Sequence, residues 1–180
     1  MRVLSLGLKI RDNGSKAERE NAMSHQKRLT LKEVDPEAHQ AISAIERYAR
    51  AGNLERQLVE LVKMRASQLN NCAYCLDMHA ADARAAGIEQ RRLDIVSAWR
   101  EAPSFFSDRE QAALELTESV TRIGEAGVPD SVWESVARRF DEKEIVRLLM
   151  TICAINVWNR IAVSTRQPLP EREPNPQPRA

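Results

Sequence analysis

The spacing of the apolar residues constrains the fold of this chain more than any other feature. Apolar side chains recur at intervals of three and four residues over most of the sequence, and no convincing stretch alternates between apolar and polar residues as a half-buried strand would. Intervals of three and four place side chains on one face of a helix. With 43% apolar residues among 180, the chain can build one packed core. The sequence therefore predicts an all-α, single-domain helical bundle.

Turn and capping residues divide this pattern into helices. Asp35 followed by Pro36 is typical of a helix start. Asn70 and Asn71 predict a boundary between the second helix and a third that begins near Cys72, because asparagine suits both a left-handed helix end and an N-cap. The remaining predicted helices cover 89–99, 108–124, 129–140 and a long buried segment from 141 onward.

Composition sets both ends of the chain apart from the helical region. Residues 1–28 are mostly polar and charged, with Met23 as an alternative start, so we expect a flexible extension there. Residues 168–180 hold five prolines among polar residues, which predicts a disordered tail. The helical domain is therefore expected to span 29–167.

Charge and hydropathy disfavour two classes of partner. The chain has 27 lysines and arginines against 26 acidic residues, which argues against a surface that neutralises the phosphates of nucleic acid. No run reaches the roughly 20 apolar residues that a membrane helix requires. Because Gly7 and Lys9 interrupt the apolar residues of the N-terminus, no export signal is expected, and we predict a cytoplasmic protein.

Two of the three cysteines form a Cys-x-x-Cys pair that a histidine follows at helical spacing. Cys72, Cys75 and His79 are separated by three and four residues, so a helix places both sulfurs and the imidazole on one stripe. Cys72 lies near the helix start, where backbone N–H groups and the helix dipole stabilise a thiolate. In a reducing compartment, such a pair is expected to serve chemistry rather than structure.

Glu60 is a candidate partner for this stripe. Its neighbours are apolar, which predicts a buried carboxylate with a raised pKa. If the second and third helices fold back antiparallel at Asn70, Glu60 lies ten residues before the turn and His79 nine after it, so the two side chains are level. The geometry predicts a proton relay from Glu60 through His79 to Cys75.

These residues fit the reduction of organic hydroperoxides. A thiolate attacks the O–O bond, and a neighbouring thiol converts the resulting sulfenic acid into a disulfide. His79 steadied by Glu60 can take and return the protons. An external dithiol would then reduce the disulfide between Cys72 and Cys75, so the chain is predicted to be a peroxidase without a cofactor or metal.

Other interpretations stay open for the same residues. The disulfide could act in a non-enzymatic redox sensor or assembly module, and a zinc site would need Glu60 or a partner chain beside the three candidate ligands. Tyr74 is equally compatible with lining a substrate pocket and with simple packing. Cys153 is expected to be a small core residue, and the tryptophans are expected to form core or subunit contacts.

The site residues resemble a known family, that of alkylhydroperoxidase D and carboxymuconolactone decarboxylase. The resemblance is carried by Glu60, by the run from Asn71 to His79 and by Trp158-Asn159-Arg160, and it covers roughly residues 29–167. It implies an AhpD-like helical homo-oligomer, a trimer or hexamer, in which Cys75 meets the peroxide and Cys72 resolves it. Tyr74 stands where well-characterised family peroxidases have a histidine. Lactone decarboxylation is less favoured, since decarboxylase members generally lack the cysteine pair.

Overall fold

Helices form the regular structure of the protein throughout residues 26–170, the part of the chain that the computed structural model describes, and no strand occurs within them. The α-helices are α1 (Leu31–Val34), α2 (Pro36–Arg50), α3 (Arg56–Leu69), α4 (Ala73–Ala85), α5 (Gln90–Ile95), α6 (Asp108–Thr121), α7 (Asp130–Ala137) and α8 (Glu142–Thr165), with 3₁₀ helices at Val96–Glu101 and Pro103–Phe105. The all-α prediction is confirmed. The flexible segments predicted at the two ends fall mostly on 1–25 and 171–180, which lie outside the described residues.

Side chains that cap the helices explain where several of them begin. Asp35 accepts a backbone N–H at 2.9 Å at the start of α2. Capping boxes open α6, through Ser107 and Glu110, and α8, through Asp141 and Glu144. Each N-cap contributes about 1 kcal/mol to stability. The helix predicted at 89–99 is shorter than expected, because α5 ends at Ile95 and the chain continues as a 3₁₀ helix.

A tight turn folds α4 back against α3. Asn71 has a φ of 52°, in the left-handed region that asparagine tolerates better than most residues. The backbone N–H of Cys72 donates to the Ser67 carbonyl at 3.0 Å, and Cys72 occupies the N-cap of α4. The turn therefore places the first cysteine where the two helices meet.

Helices α3 and α8 form the centre of the bundle. Helix α3 packs against α4, α6 and α8, while α8 also packs against α2. Side chains on most sides of α3 are buried, as expected for a helix in a core. The largest apolar cluster joins α3, α6, α7 and α8 through Leu58, Val62, Leu116, Val136, Leu148 and Ile152.

The long segment predicted from residue 141 onward forms the 24-residue helix α8. Among the described helices it alone has the length and composition to cross a membrane, although 44% of its most apolar window is buried within the bundle. Helix α8 packs against α2, α3 and α6 of the bundle. Cys153 lies on the side of α8 that faces away from this packing and is exposed, so the prediction of a core cysteine is wrong.

Candidate active site

Three buried polar side chains form a stripe along the central helix α3. Glu60, Lys63 and Ser67 are spaced by three and four residues, and at most 2% of each is exposed. Burial of such groups is costly unless each finds a hydrogen-bonding or charged partner. Their partners lie on α4, α2 and α8, and the place where these helices converge is the candidate active site.

Glu60 pairs with His79 across the α3–α4 hairpin. The distance from His79 Nδ1 to Glu60 Oε2 is 2.9 Å, and both residues are buried. Burial acts most strongly on the Glu60 pKa and raises it, but the hydrogen bond from His79 and the charges of His79, Lys63 and Arg50 together lower it below its usual value. The prediction of a raised pKa is therefore wrong. Since an ionised Glu60 can only accept, Nδ1–H donates to it and Nε2 is left for other partners.

A network of charges extends this pair to α2. Lys63 is fully buried and forms a short ion pair with Glu46. Arg50 Nε lies 2.6 Å from Glu46 Oε1, and Arg50 Nη2 lies 3.6 Å from Asp82, whose carboxylate is 3.9 Å from His79 Nδ1. The network therefore links α2, α3 and α4 around the histidine.

The two cysteines form a buried pair of free thiols at the start of α4. Each is 1% exposed, and both pack against Ala66 and Ile155. The hydrogen bond from Cys75, helped by backbone N–H groups at the start of α4, outweighs burial and lowers the pKa of Cys72 to about 7. The same bond, together with burial, raises the pKa of Cys75. When the pair holds a single proton, that proton therefore lies on Cys75.

Asparagine side chains connect the cysteine turn to α8. Asn159 Nδ2 donates to Ser67 Oγ at 3.1 Å, and Asn159 Oδ1 accepts from Asn70 Nδ2 at 2.9 Å. Asn70 Nδ2 also donates to Asn156 Oδ1 at 2.8 Å. Asn159 is fully buried, and its amide lowers the pKa of both cysteine thiols. The polar groups at the end of α3 are thus held by α8.

A cavity of about 420 Å³ opens beside these groups. Cys75 and His79 line it, whereas Cys72 is not among the lining residues. Glu46 and Arg50 contribute charge to its wall. Much of the remaining lining is apolar or aromatic and comprises Leu31, Tyr74, Met78, Trp158, Ile161 and Ala162. The structure therefore brings Cys75, His79 and Tyr74 to one cavity, with Glu60 behind the histidine.

Several residues of the site were not identified from the sequence. Lys63 carries a detectable signal, because it lies three positions from Glu60 and between the apolar residues Val62 and Met64. Glu46 and Arg50 carry no such signal and look like residues of a solvated helix face. Trp158 was expected in the core or at a subunit contact, but it lines the cavity, with its ring centroid 5.5 Å from that of His39.

One group of side chains has the spacing of metal ligands. Within the described residues, ligand atoms of Glu60, His79 and Asp82 lie within 4.8 Å of one another, and neither cysteine belongs to this group. Zinc bound by the cysteines and His79 is thus not the arrangement that the geometry favours. Arg50 beside Asp82 and the hydrogen bond between Glu60 and His79 also compete with a cation.

Comparisons with known proteins agree with this architecture. The model of the carboxymuconolactone decarboxylase family matches residues 36–119. The uncharacterized protein YdfG of Bacillus subtilis is 39% identical over 137 residues, which are 76% of this chain and 92% of YdfG.

Solved structures share the fold. A protein of unknown function from Agrobacterium tumefaciens, for which the antioxidant defence protein AhpD has been suggested, is 38% identical, with a TM-score of 0.78 over 82% of this chain and all of that one. The debrominase Bmp8, 16% identical with a TM-score of 0.67 over 76% of this chain and 73% of its own, shares the fold alone. The chain therefore has an AhpD-like helical fold and belongs to the carboxymuconolactone decarboxylase family.

Proposed function

We propose that this protein is a thiol-dependent peroxidase that reduces organic hydroperoxides through a dithiol/disulfide cycle of Cys72 and Cys75. Family membership supports a broader peroxidase-related or decarboxylase-like role. The observation that carries the narrower proposal is that Cys75 lines the same cavity as His79, which is hydrogen-bonded to Glu60. A nucleophile and a histidine that can take and return a proton thus border one space that a substrate can enter.

Cys75 is assigned the attack because its sulfur borders the cavity. Its proton passes to His79, and the ionised Glu60 stabilises the imidazolium that forms. The Cys75 thiolate then bonds to the terminal oxygen of the hydroperoxide as the O–O bond breaks. The departing alkoxide takes the proton from His79 and leaves as an alcohol, and Cys75 becomes a sulfenic acid.

Cys72 is assigned the resolving step. Its lowered pKa keeps it available as a thiolate near neutral pH. The Cys72 thiolate attacks the Cys75 sulfur, the S–S bond forms as the S–O bond breaks, and the hydroxide released takes up a solvent proton to give water. An external dithiol then supplies two electrons and reduces the disulfide by thiol exchange. No metal or cofactor takes part in this cycle.

The cavity lining supports an organic hydroperoxide as the substrate. Apolar and aromatic side chains such as Met78 and Trp158 can hold a hydrocarbon or aromatic group, while hydrogen peroxide would leave most of this surface without contacts. Tyr74 is proposed as a pocket residue that contacts this group. Cumene hydroperoxide is therefore a suitable probe.

The test is the amount of cumene hydroperoxide that the protein consumes with dithiothreitol in excess. We expect many equivalents of alcohol per chain, and the same from Cys153→Ser, which removes the exposed thiol and leaves the pair intact. Consumption of a single equivalent, despite excess reductant, would contradict an enzyme and support a redox sensor or assembly module. Release of carbon dioxide from carboxymuconolactone without oxidation of either thiol would instead support a lyase.

The partners and setting of the protein follow from the same proposal. We propose a cytoplasmic homo-oligomer, a trimer or hexamer, that depends on a cellular dithiol for its reduction. Light scattering on the purified protein measures the number of subunits, and a monomer at micromolar concentration would contradict the oligomer.

A further inference from the structure

We propose that Asn159 stabilises the thiolate form of the cysteine pair, and that Ser67 and Asn70 position its amide for this role. The inference rests on the proposed function, since it assigns a further residue to the same site. The observation that carries it is the juxtaposition of a fully buried amide on α8 with the turn between α3 and α4 that holds both cysteines.

The hydrogen bonds of Asn159 fix the direction of its amide. Oδ1 accepts from Asn70 Nδ2, and Nδ2 donates to Ser67 Oγ. A flipped amide would place its nitrogen against the Asn70 donor, so the two partners together select one orientation. An amide nitrogen carries two N–H groups, and Ser67 uses one of them. The second is the group available to the cysteine sulfurs.

The surroundings make this donor effective. Ile155 and Ala162 of α8 pack against the cysteine cluster, and Asn159 lies between them in the helix. Apolar side chains of α8 thus precede and follow the amide along the face that packs on the cysteines. Because little solvent reaches the pair, a hydrogen bond to a charged sulfur is stronger there than in water.

Cys75 depends most on this donor. The hydrogen bond and charge of Cys72, together with burial, raise the pKa of Cys75, whereas the amide of Asn159 acts in the opposite direction. The amide also lowers the pKa of Cys72, so it favours the charged form of either sulfur. The charged and titratable groups that line the cavity beside Cys75 are Lys32 on α1, His39, Glu46 and Arg50 on α2, and Tyr74 and His79 on α4, with Glu60 on α3 behind His79.

Asn70 and Ser67 act through Asn159. Asn70 is the C-cap of α3, two residues before Cys72, and its side chain reaches both Asn156 and Asn159 on α8. Ser67 accepts from Asn159 with its hydroxyl, while its carbonyl accepts the Cys72 N–H. The same two residues therefore hold the cysteine turn and the amide in a fixed relation.

The experiment is a pH titration of the ultraviolet absorbance of the thiolate in reduced protein, in a Cys153→Ser background. The wild-type pair should ionise with a midpoint near 7. Asn159→Leu should raise this midpoint by about one pH unit, and Asn159→Asp should raise it further because a carboxylate would face the thiolate. Thr151→Val is the matched control, since Thr151 is an equally buried α8 residue that bonds the Arg147 carbonyl in its own helix.

A second variant keeps the test decisive if Asn159→Leu does not fold. Ser67→Ala removes the acceptor of the amide with little change in volume, and it should shift the midpoint in the same direction by a smaller amount. If Asn159→Leu folds and its midpoint is unchanged, the inference is overturned. If Asn159→Leu does not fold, an unchanged midpoint in Ser67→Ala overturns it. The titration needs no peroxide, so absence of peroxide turnover in the wild type would defeat the proposed function without affecting this result.

Discussion

Cys75→Ser is expected to reduce the rate of cumene hydroperoxide consumption by about a thousandfold or more, because a serine hydroxyl is not ionised near neutral pH and cannot replace the attacking thiolate. Cys72→Ser should instead lose turnover while it keeps the first reaction with hydroperoxide. It keeps the thiol that lines the cavity, so it should consume one equivalent of hydroperoxide before any reductant is added. Rapid measurement of alcohol release in both variants compares the two roles.

The opposite pattern would contradict the assignment. Cys72 has the lower pKa, whereas Cys75 borders the cavity, so acidity and access point to different sulfurs. We give access the greater weight, because Cys75 can pass its proton to His79 in the same cavity, whereas a substrate in the cavity does not reach the sulfur of Cys72. If Cys75→Ser consumes one equivalent and Cys72→Ser consumes none, Cys72 is the attacking residue.

Glu46→Gln is expected to lower the free energy of unfolding by about 3 kcal/mol, because it leaves the Lys63 ammonium buried without its ion-pair partner. Urea unfolding of wild type and variant at pH 7 measures the change. Glu134→Gln is the matched control. Glu134 forms an ion pair with Arg138 in which the Glu134 side chain is 67% exposed and the Arg138 side chain 64%. This substitution should lower the free energy of unfolding by less than about 1 kcal/mol.

The difference in free energy of unfolding between wild type and Glu46→Gln depends on pH through the pKa of Glu46. Burial raises that pKa, but Lys63 and Arg50 more than offset the effect, so the folded pKa lies below the unfolded one. The ionised carboxylate therefore stabilises the fold above its unfolded pKa of about 4.3, and the stabilisation is lost as the pH falls through the folded pKa. The gap between wild type and Glu46→Gln should narrow in acid. Equal losses in Glu46→Gln and Glu134→Gln at pH 7 would show that the buried pair does not hold α2 on α3.

Much of the fold could be predicted because its signals are local. Asp35, Ser107 and Asp141 cap helices through backbone groups three residues away, and a single sequence reveals such pairs. The contact between Glu60 and His79 was also predictable, because it requires only a count of residues on either side of one turn. Two helices joined by a short turn leave little freedom in their relative position.

The rest of the site depends on which helix faces bury one another. Lys63 of α3 meets Glu46 of α2, and Asn159 of α8 meets Ser67 of α3, and no local pattern specifies either contact between helices. The same contacts explain why the pKa of Glu60 falls when burial alone would raise it. Cys153 was predicted to be a core residue because its neighbours along the chain are apolar, but it is exposed. Apolar neighbours do not show which side of a long helix other helices cover.

The most direct test of the account is mass spectrometry of tryptic peptides after reduced wild-type protein reacts with one equivalent of cumene hydroperoxide. Peptide 66–84 carries Cys72 and Cys75, and peptide 148–160 carries Cys153. We predict that peptide 66–84 loses two hydrogen atoms as its disulfide forms, with one equivalent of alcohol released and peptide 148–160 unchanged. Alcohol release with both thiols of peptide 66–84 still free, or oxidation confined to Cys153, would contradict it.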